Sequence, residues 1–344
     1  MSKGMVFLLL MALKQKDIIT VIPFKTYGTQ KQVYLKGMVF KGIGFNDSSG
    51  LLAFFFDRWK QSIFKKVKDI LLEIKLESQN SFNIRTNSEG YYFIDSRQTV
   101  EDVNLENQGG WLGYNVLVTD KYFDSADIQF NYSLGEMLIP SKHSNFGVIS
   151  DIDDTILHTG VSSLFKWQVL VNTFLKPPTE RKPIKNIVMF YKMLSKTPNA
   201  SIFNPFFYVS SSPCNLYEYL NTFLLKYDFP KGPILLRDSR PIGGAFQKRT
   251  RLHKEQEINN ILDTYPNLKF VLIGDCSEYD ADLFLKIVNK YPNRISSIYL
   301  RAVSHKGKMK QINNLFNSFN DIPYCIFQSS EEAISHARNN GFIN

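Results

Sequence analysis

The chain has 344 residues, of which 44% are hydrophobic and 14% aromatic, and its formal net charge is +9. This composition excludes a disordered chain, because the apolar content is enough for more than one buried core. The three cysteines form no CxxC pair, so neither a disulfide framework nor a zinc cluster is predicted, and a reducing, cytoplasmic compartment is expected.

The positive charge is concentrated in the second part of the chain. Residues 1–145 contain 17 basic and 15 acidic residues, which gives +2, whereas the remainder contains 24 and 17, which gives +7. A basic surface favours an anionic substrate such as a phospholipid and peripheral contact with an anionic membrane, with a merely solvated basic face as the alternative. Nucleic acid is not an expected partner, because the basic residues show no aromatic interleaving and no recognised motif.

The first apolar segment, MVFLLLMAL at residues 5–13, is too short to cross a bilayer and has no small-residue cleavage site before Lys14. We predict a first helix packed on the body of the protein. A signal segment or an anchor that touches the membrane is the alternative.

Short strand-like runs characterise the chain up to about residue 140. The runs are DIITVIPFKTYG, QVYLKGMVF, SFNIRTNSEGYYFID and WLGYNVLVTD, and turn-forming residues separate them. We therefore predict an antiparallel β-sandwich-like N-terminal domain over residues 1–145, with a hairpin loop at Asn87-Ser88-Glu89-Gly90. An inserted helix is predicted over residues 51–75, although its apolar positions do not settle the period.

From Phe146 onward, strand-like and helical segments alternate, which is typical of a parallel sheet with crossover helices. The predicted strands are FGVIS, FFYVS, GPILLRD, LKFVLIG, ISSIYL and YCIF. We predict a Rossmann-like α/β domain over residues 146–344.

Two helices of this domain carry end signals. The helix after FFYVS has Ser212 as its predicted N-cap and Pro213 in its first turn. The last helix begins with a capping box from Ser329 to Glu332 and ends near Gly341. One apolar face is predicted for the first of these helices, formed by Leu216, Tyr219, Leu220, Phe223, Leu224 and Tyr227.

Polar side chains follow three of the predicted strands. Asp151 follows FGVIS, Ser210 closes FFYVS and Asp275 follows KFVLIG. The carboxyl ends of parallel strands meet at one edge of a sheet, where functional groups gather, so these side chains are expected to lie close together. The clustered carboxylates of the DIDDT motif need charge compensation, which a bound Mg²⁺ would supply. Asp154 is predicted to cap the turn or form a salt bridge.

The motifs of this region resemble those of a known family. FGVISDIDDT is similar to motif I of the haloacid dehalogenase-like phosphohydrolases. The order of ISDIDDTILHTG, FFYVSSSPCNLYEYLNTFL, GPILLRD, a lysine and KFVLIGDCSEYD, over about residues 146–301, resembles the catalytic domain of the App1-type phosphatidate phosphatase family. That family has a β-rich domain before the catalytic one, which agrees with the pattern of residues 15–140.

The resemblance implies a role for each polar residue. Asp151 would be the nucleophile and Asp153 the general acid and base, while Ser210, Lys254 and Thr155 would bind the phosphoryl group. The implied Mg²⁺ ligands are Asp151, Asp153, Asp275 and Asp280. Each role suits phosphoryl transfer, which depends on positioning and charge neutralisation.

Several of these assignments have alternatives in the sequence. Ser211 and Ser212 adjoin Ser210, and Lys248 precedes Lys254, which is preferred because it would begin the helix KEQEINNILDTY. Asp280 is equally suited to be a helix N-cap. His158 is not expected to be catalytic, because phosphoaspartate chemistry needs no histidine.

The chain also departs from the family pattern. Ser277 replaces a glycine in the last motif, and Asn186 replaces a glycine before the helix VMFYKML, where asparagine tolerates similar backbone shapes. Cys276 is expected to be a packed thiol. The segment RPIGGAFQKRTR, residues 240–251, is expected to be a basic loop, either in contact with an anion beside the site or simply exposed.

The expected function is Mg²⁺-dependent hydrolysis of a phosphomonoester through an aspartyl-phosphate. By resemblance the substrate is phosphatidate and the product diacylglycerol. Two alternatives remain open: a phosphatase of a soluble ester such as a sugar phosphate or nucleotide, and a lipid- or protein-binding module with a vestigial site.

Overall fold

A computed structural model describes residues 17–43, 65–77, 81–97, 109–120, 133–156, 183–197, 201–237, 246–276, 279–303, 306–317, 319 and 322–344. The chain divides into two compact units, the larger of which includes Leu138–Asn344. The predicted helix at residues 5–13 and the residue His158 lie outside the described residues. The predicted domain boundary after residue 145 stays a prediction.

The N-terminal strands form one antiparallel sheet. Its described strands are β1 (Asp17–Pro23), β2 (Thr26–Thr29), β3 (Gln32–Ile43), β4 (Lys65–Lys66), β5 (Leu71–Leu76), β6 (Ser81–Arg85), β7 (Tyr91–Ser96), β8 (Gly110–Val118) and β9 (Ser133–Ile139). The hydrogen-bonded order is β1-β3-β2-β9-β8-β5-β6, and β4 and β7 both pair with β3. The antiparallel β-rich character is thus confirmed, while the arrangement as two facing sheets of a sandwich stays a prediction.

The helix predicted over residues 51–75 is wrong for its described end, which contains β4 and β5. In β5 the side chains of Leu72, Ile74 and Leu76 are buried, and the residues between them are less buried. This alternation has the period of a strand, and pairing with β6 and β8 satisfies its backbone. The run KDILLEIK therefore buries alternate residues in a sheet, which the sequence prediction overlooked.

Residues Asn87–Gly90 form a turn, but the described strands on either side of it do not pair with each other as the predicted hairpin requires. The Asn87 side chain accepts hydrogen bonds from the backbone of Glu89 and Tyr91, and Gly90 has a φ of +76°. The strands on either side take different partners, since β6 pairs with β5 and β7 pairs with β3.

The second sheet is parallel and confirms all six predicted strands. They are β10 (Gly147–Ser150), β11 (Phe206–Pro213), β12 (Ile234–Arg237), β13 (Phe270–Asp275), β14 (Ile295–Arg301) and β15 (Tyr324–Phe327), in the order β12-β11-β10-β13-β14-β15. Every residue of β10, β12 and β13 is buried. Burial on both faces is typical of a parallel sheet with helices packed on either side.

Six helices are described in this part of the chain: α1 (Ile187–Ser195), α2 (Tyr217–Lys226), α3 (Phe246–Thr264), α4 (Asp280–Lys290), α5 (Lys306–Asn317) and α6 (Ser330–Asn339). The predicted apolar face of α2 is confirmed by the burial of Leu220, Phe223 and Leu224. Within the ranges given above, no helix is long and apolar enough to cross a membrane.

The helix ends differ in how well they were predicted. Ser212 is not an N-cap, because Pro213 still belongs to β11 and a 3₁₀ turn, Cys214–Leu216, precedes α2. The capping box of α6 is confirmed in part. The Ser329 hydroxyl accepts from the Glu332 backbone N–H, but the Glu332 carboxylate accepts from the Gln328 N–H, one residue before the predicted donor. Gly341 follows the helix with a φ of +74°. Asn186 precedes α1 in the left-handed region, with a φ of +59°, as its replacement of glycine suggested.

Candidate active site

The DIDDT motif begins where β10 ends, in the middle of the parallel sheet. The Asp151 N–H donates to the Ile273 carbonyl of β13, which fixes Asp151 beside the carboxyl end of that strand. Asp154 then takes a φ of +59°, and its carbonyl accepts a hydrogen bond of 2.5 Å from Arg301 Nη1. The chain therefore turns sharply after Asp153 through the backbone of Asp154, while the predicted cap or salt bridge of its side chain stays a prediction.

Lys254 joins two of the buried carboxylates. Its Nζ lies 2.8 Å from Asp151 Oδ1 and 2.9 Å from Asp280 Oδ1, and the lysine itself is only 5% exposed. Thr155 Oγ1 donates to the other oxygen, Asp151 Oδ2, at 2.9 Å. Asp151 is thus held by a cation on one oxygen and a hydroxyl on the other.

Three carboxylates converge beside this lysine. Asp151, Asp275 and Asp280 each offer one oxygen, and these oxygens all lie within 4.8 Å of one another. All three residues are at most 3% exposed. If all three carboxylates are ionised, they and the one ammonium give a formal charge of −2, which a bound cation or a shared proton would reduce. Hard oxygen donors in such a group suit Mg²⁺.

Asp280 reaches the cluster from the start of α4, and it is not an N-cap. The residue before α4 is Tyr279, which makes no side-chain cap, whereas Asp280 Oδ2 accepts from the Asp275 N–H at 3.3 Å. Gly274 makes room for it, since a Cβ at that position would lie 2.6 Å from Asp280 Oδ2. The glycine before Asp275 is therefore required by the close approach of Asp280.

Asp153 has different surroundings from Asp151 and is not one of the three clustered carboxylates. Its Oδ2 accepts hydrogen bonds from Ser210 Oγ at 2.7 Å and from Ser212 Oγ at 3.1 Å. The Ser212 N–H in turn donates to Ser210 Oγ at 2.9 Å. The two serines of β11 therefore orient Asp153, so Ser212, which the sequence offered as an alternative to Ser210 and as a helix cap, acts together with Ser210.

Lys254 occupies a different place in its helix from the one predicted. Helix α3 begins at Phe246, so Lys254 lies in its third turn and not at its start. The same boundary shows that residues 246–251 of the expected basic loop are helical, while residues 240–245 and the side chain of Lys248 lie outside the described part. Lys254, the preferred one of the two candidate lysines, lies beside Asp151.

A cavity of about 180 Å³ opens beside Lys254 and Asp280. Its lining includes Ser211 and the pair formed by Arg251 and Tyr279, in which the guanidinium carbon lies 2.9 Å from the ring centroid. Of the groups in the cluster, Lys254 and Asp280 line this cavity, whereas Asp151 and Asp275 do not.

A second hydroxyl pair supports Asp151 from behind, and no sequence signal pointed to it. Ser150 Oγ donates to the Asp151 carbonyl at 2.7 Å and lies 2.7 Å from the Tyr191 hydroxyl. Burial raises the pKa of Tyr191 far above its usual value, so this hydroxyl stays protonated. Cys276, next to Asp275, is buried as expected, and burial raises the pKa of its thiol to about 12.

Comparison with known proteins gives two related sequences. The chain is 33% identical over 199 residues to "Phosphatidate phosphatase APP1" of Saccharomyces cerevisiae, an alignment that covers 56% of this chain and 29% of that protein. It is 24% identical to an uncharacterised protein of Schizosaccharomyces pombe, over 78% of this chain and 44% of that protein. The chain thus spans less than half the length of either relative.

Some solved structures share a low similarity with the chain. A ferredoxin-NADP⁺ reductase from Plasmodium falciparum is 9% identical with a TM-score of 0.22, covering 83% of this chain and 96% of the other. A carbohydrate esterase is 10% identical with a TM-score of 0.24, covering 88% and 97%. Scores this low carry no argument about the fold.

The sequence family agrees with the site. Residues 146–302 match the family described as "Phosphatidate phosphatase APP1, catalytic domain". This segment contains the aspartates, serines and lysine described above, from Asp151 to Asp280. Over residues 146–302, the chain therefore matches the App1-type phosphatidate phosphatase family in its catalytic domain.

Proposed function

We propose that this protein is a Mg²⁺-dependent phosphatase that hydrolyses phosphatidate to diacylglycerol and phosphate through an aspartyl-phosphate. The observation that carries the proposal is the position of Asp151, which lies between Lys254 and two further buried carboxylates at the end of the parallel sheet. We further propose that the parallel sheet has the haloacid dehalogenase-like arrangement, which its motif order resembles.

Asp151, Asp275 and Asp280 would hold the metal, because they supply three hard oxygen donors and an uncompensated charge. When bound there, Mg²⁺ would neutralise negative charge on the phosphoryl oxygens and so would let an anionic substrate approach the carboxylates. Lys254 adds a positive charge within 3 Å of both Asp151 and Asp280. The direct role of Asp153 in metal binding is a further part of the proposal.

In the first chemical step, a carboxylate oxygen of Asp151 attacks phosphorus and the bond to the leaving oxygen breaks. Asp153 donates a proton to that oxygen, and the product is diacylglycerol. In the second step, Asp153 takes a proton from water, which attacks the aspartyl-phosphate, releasing phosphate and restoring Asp151.

Ser210 and Ser212 have different roles beside Asp153 in this proposal. A hydroxyl has one hydrogen to donate, and Ser210 donates it to Asp153 Oδ2. To bind a phosphoryl oxygen, Ser210 must rotate this hydrogen away. Ser212, which donates to the same oxygen, would then keep Asp153 in place.

The lipid substrate rests on the named yeast relative and on the basic charge of the domain. Residues that bind a phosphoryl group do not distinguish the rest of the molecule, so the choice between lipid and soluble ester needs a direct assay. We also propose a cytoplasmic location with peripheral membrane contact, which the reduced, unpaired cysteines and the positive charge support.

The test is phosphate release from micellar phosphatidate and from soluble monoesters, measured with Mg²⁺ and after its removal with EDTA. Release from phosphatidate that is lost in EDTA and restored by Mg²⁺ is the expected result. Release from soluble esters alone would favour the soluble phosphatase, and no release from any ester would favour a binding module with a vestigial site. Activity that survives verified metal removal would refute the metal site.

A further inference from the structure

A second cavity, of about 780 Å³, lies at the carboxyl ends of β14 and β15. Its polar lining consists of two cations and three amides: Arg301, Lys310, Asn313, Asn314 and Gln328. The remaining described lining is apolar, and no carboxylate belongs to it. We call this the basic cavity. Such a set of N–H donors without acids is suited to an anion, and bidentate guanidinium contacts suit phosphate in particular.

The sequence around the basic cavity is unusually free of acids. Residues 283–320 contain seven lysines and arginines and no aspartate or glutamate. The whole of residues 146–344 has a net charge of +7, so this one segment accounts for an excess of that size. Arg301, Lys310 and the two asparagines of the lining all come from it. A positive electrostatic potential that is concentrated on a concave surface attracts anions.

The basic cavity lies beside the turn of the DIDDT motif, but other residues form its lining. Arg301 is the last residue of β14 and is in register with Asp275 of β13. Its guanidinium donates to the Asp154 carbonyl at 2.5 Å, and its own carbonyl accepts from the Cys276 N–H. A guanidinium has five N–H groups and the carbonyl uses one, so Arg301 can hold the turn and contact a ligand at once.

We propose that the basic cavity is a binding site for a phosphate-bearing anion, separate from the catalytic carboxylates. The shared chemistry is a phosphate group, whether on a phospholipid headgroup or on a soluble molecule. None of the residues predicted to act in catalysis lines the cavity. Ligands of open α/β sheets bind beyond the carboxyl ends of the strands, which is where this cavity lies.

The test uses phosphodiesters, because a phosphomonoesterase does not consume them. One arm measures co-sedimentation with phosphatidylcholine vesicles that contain phosphatidylglycerol, and the other measures binding of dimethyl phosphate by calorimetry, both at fixed low ionic strength. The variants are Lys310→Gln and the neutral change Asn314→Ala. Lys290→Gln is the matched control, because Lys290 belongs to the same acid-free segment but does not line the cavity.

We expect Lys310→Gln to weaken binding by about fivefold, the effect of one lysine near an anionic surface. Asn314→Ala should weaken it by about the same factor, the net effect of one hydrogen bond, while Lys290→Gln changes it less. Losses in both arms assign the shared phosphate chemistry, losses with vesicles alone assign a lipid headgroup, and losses with dimethyl phosphate alone assign a soluble anion. Equal losses in Lys310→Gln and Lys290→Gln with none in Asn314→Ala would mean diffuse charge attraction and would overturn the site. Absence of binding in both arms would overturn it as well.

Discussion

Asp151 and Asp153 are two positions apart in the chain, yet their contacts suit them to different tasks. Asp151 contacts a cation, whereas Asp153 accepts from two serine hydroxyls. A cationic neighbour favours the ionised form that a nucleophile needs. Hydroxyl donors on one oxygen hold a carboxyl group in a fixed orientation, as proton transfer to a leaving group requires.

We predict that the two aspartates can be separated by substitution. Asp151→Asn removes the nucleophile, so no phosphoenzyme should form and turnover should stop. Asp153→Asn keeps the nucleophile but loses the proton carrier, so an activated aryl phosphate should phosphorylate the protein and the intermediate should accumulate. Intact-protein mass spectrometry after rapid mixing with Mg²⁺ and the aryl phosphate measures the added phosphoryl mass. Phosphorylation of the Asp151→Asn protein would place the nucleophile elsewhere.

Gly274 offers a second residue-scale prediction, because its missing side chain makes room for Asp280. A Cβ there would lie 2.6 Å from Asp280 Oδ2 and 2.9 Å from a ring carbon of Phe284. Gly274→Ala should therefore displace Asp280 and lower kcat on the order of 100-fold, since small misplacements of catalytic groups have large effects. Steady-state kinetics, with a thermal melt to confirm folding, checks this. A folded variant with unchanged kcat would show that Asp280 need not be held so closely.

Secondary-structure elements were predicted correctly where the hydrophobic pattern of the segment fits only one type of element. The six strands of the parallel sheet are short apolar runs buried on both faces, a pattern that survives without knowledge of their partners. The segment KDILLEIK was assigned to a helix because the longer apolar run around it suggested one. Its own alternation of lysine and glutamate with leucine and isoleucine fits a strand. Ser212 was misassigned because serine before proline is also a helix signal, and only the tertiary contact with Asp153 decides its role.

Asn186 gives a test of one element boundary. Its φ of +59° costs an alanine roughly 1 kcal/mol, because a Cβ is strained in the left-handed region, whereas glycine adopts it freely. Both substitutions remove the side-chain hydrogen bond from Asn186 to Glu331, so glycine is the matched control. We expect urea denaturation to show Asn186→Ala as the less stable variant. Equal midpoints for the two variants would mean that the backbone conformation contributes nothing.

His336 of α6 makes the stability of that element sensitive to pH. Its ring packs edge-on against Tyr299, and its Nδ1 lies 3.1 Å from the tyrosine hydroxyl. Burial lowers the pKa of His336 below its usual 6.5, so the folded state binds this proton less readily than the unfolded state does. The contribution of neutral His336 to the free energy of unfolding is therefore complete above the pKa of this histidine in the unfolded state. It is lost as the pH falls through about 6.5 towards the pKa in the folded state.

The matching experiment compares the wild type with His336→Gln. Urea midpoints measured above pH 6.5 and well below it should fall on acidification in both proteins, because other groups also titrate. The midpoint of the variant should fall less. An identical fall in both proteins would exclude His336 as a contributor.

At the scale of the whole molecule, the sequence predicted which edge of the parallel sheet carries the candidate active site. It did not predict how the charges are distributed around that edge. The ends of three strands predicted where Asp151, Ser210 and Asp275 lie, because parallel strands share one carboxyl edge. The excess of basic residues was visible as a number for residues 146–344, but its concentration around a cavity required the structure. Contacts between residues far apart in sequence, such as Arg301 with Asp154, cannot be inferred from spacing alone.

The acidic centre should also make the stability of the protein depend on Mg²⁺. Three buried carboxylates against one lysine repel one another, and a divalent cation that binds only the folded state stabilises it by mass action. The gain is about 2.7 kcal/mol when the free metal is 100 times its dissociation constant. We therefore expect MgCl₂ to raise the melting temperature measured by calorimetry, with NaCl of equal ionic strength as the control. Asp275→Asn removes one charge from the centre, so its melting temperature without metal should be closer to that of the metal-bound wild type, and its response to MgCl₂ should be smaller. An equal response in the wild type and in Asp275→Asn would show that Mg²⁺ stabilises the protein from some other place.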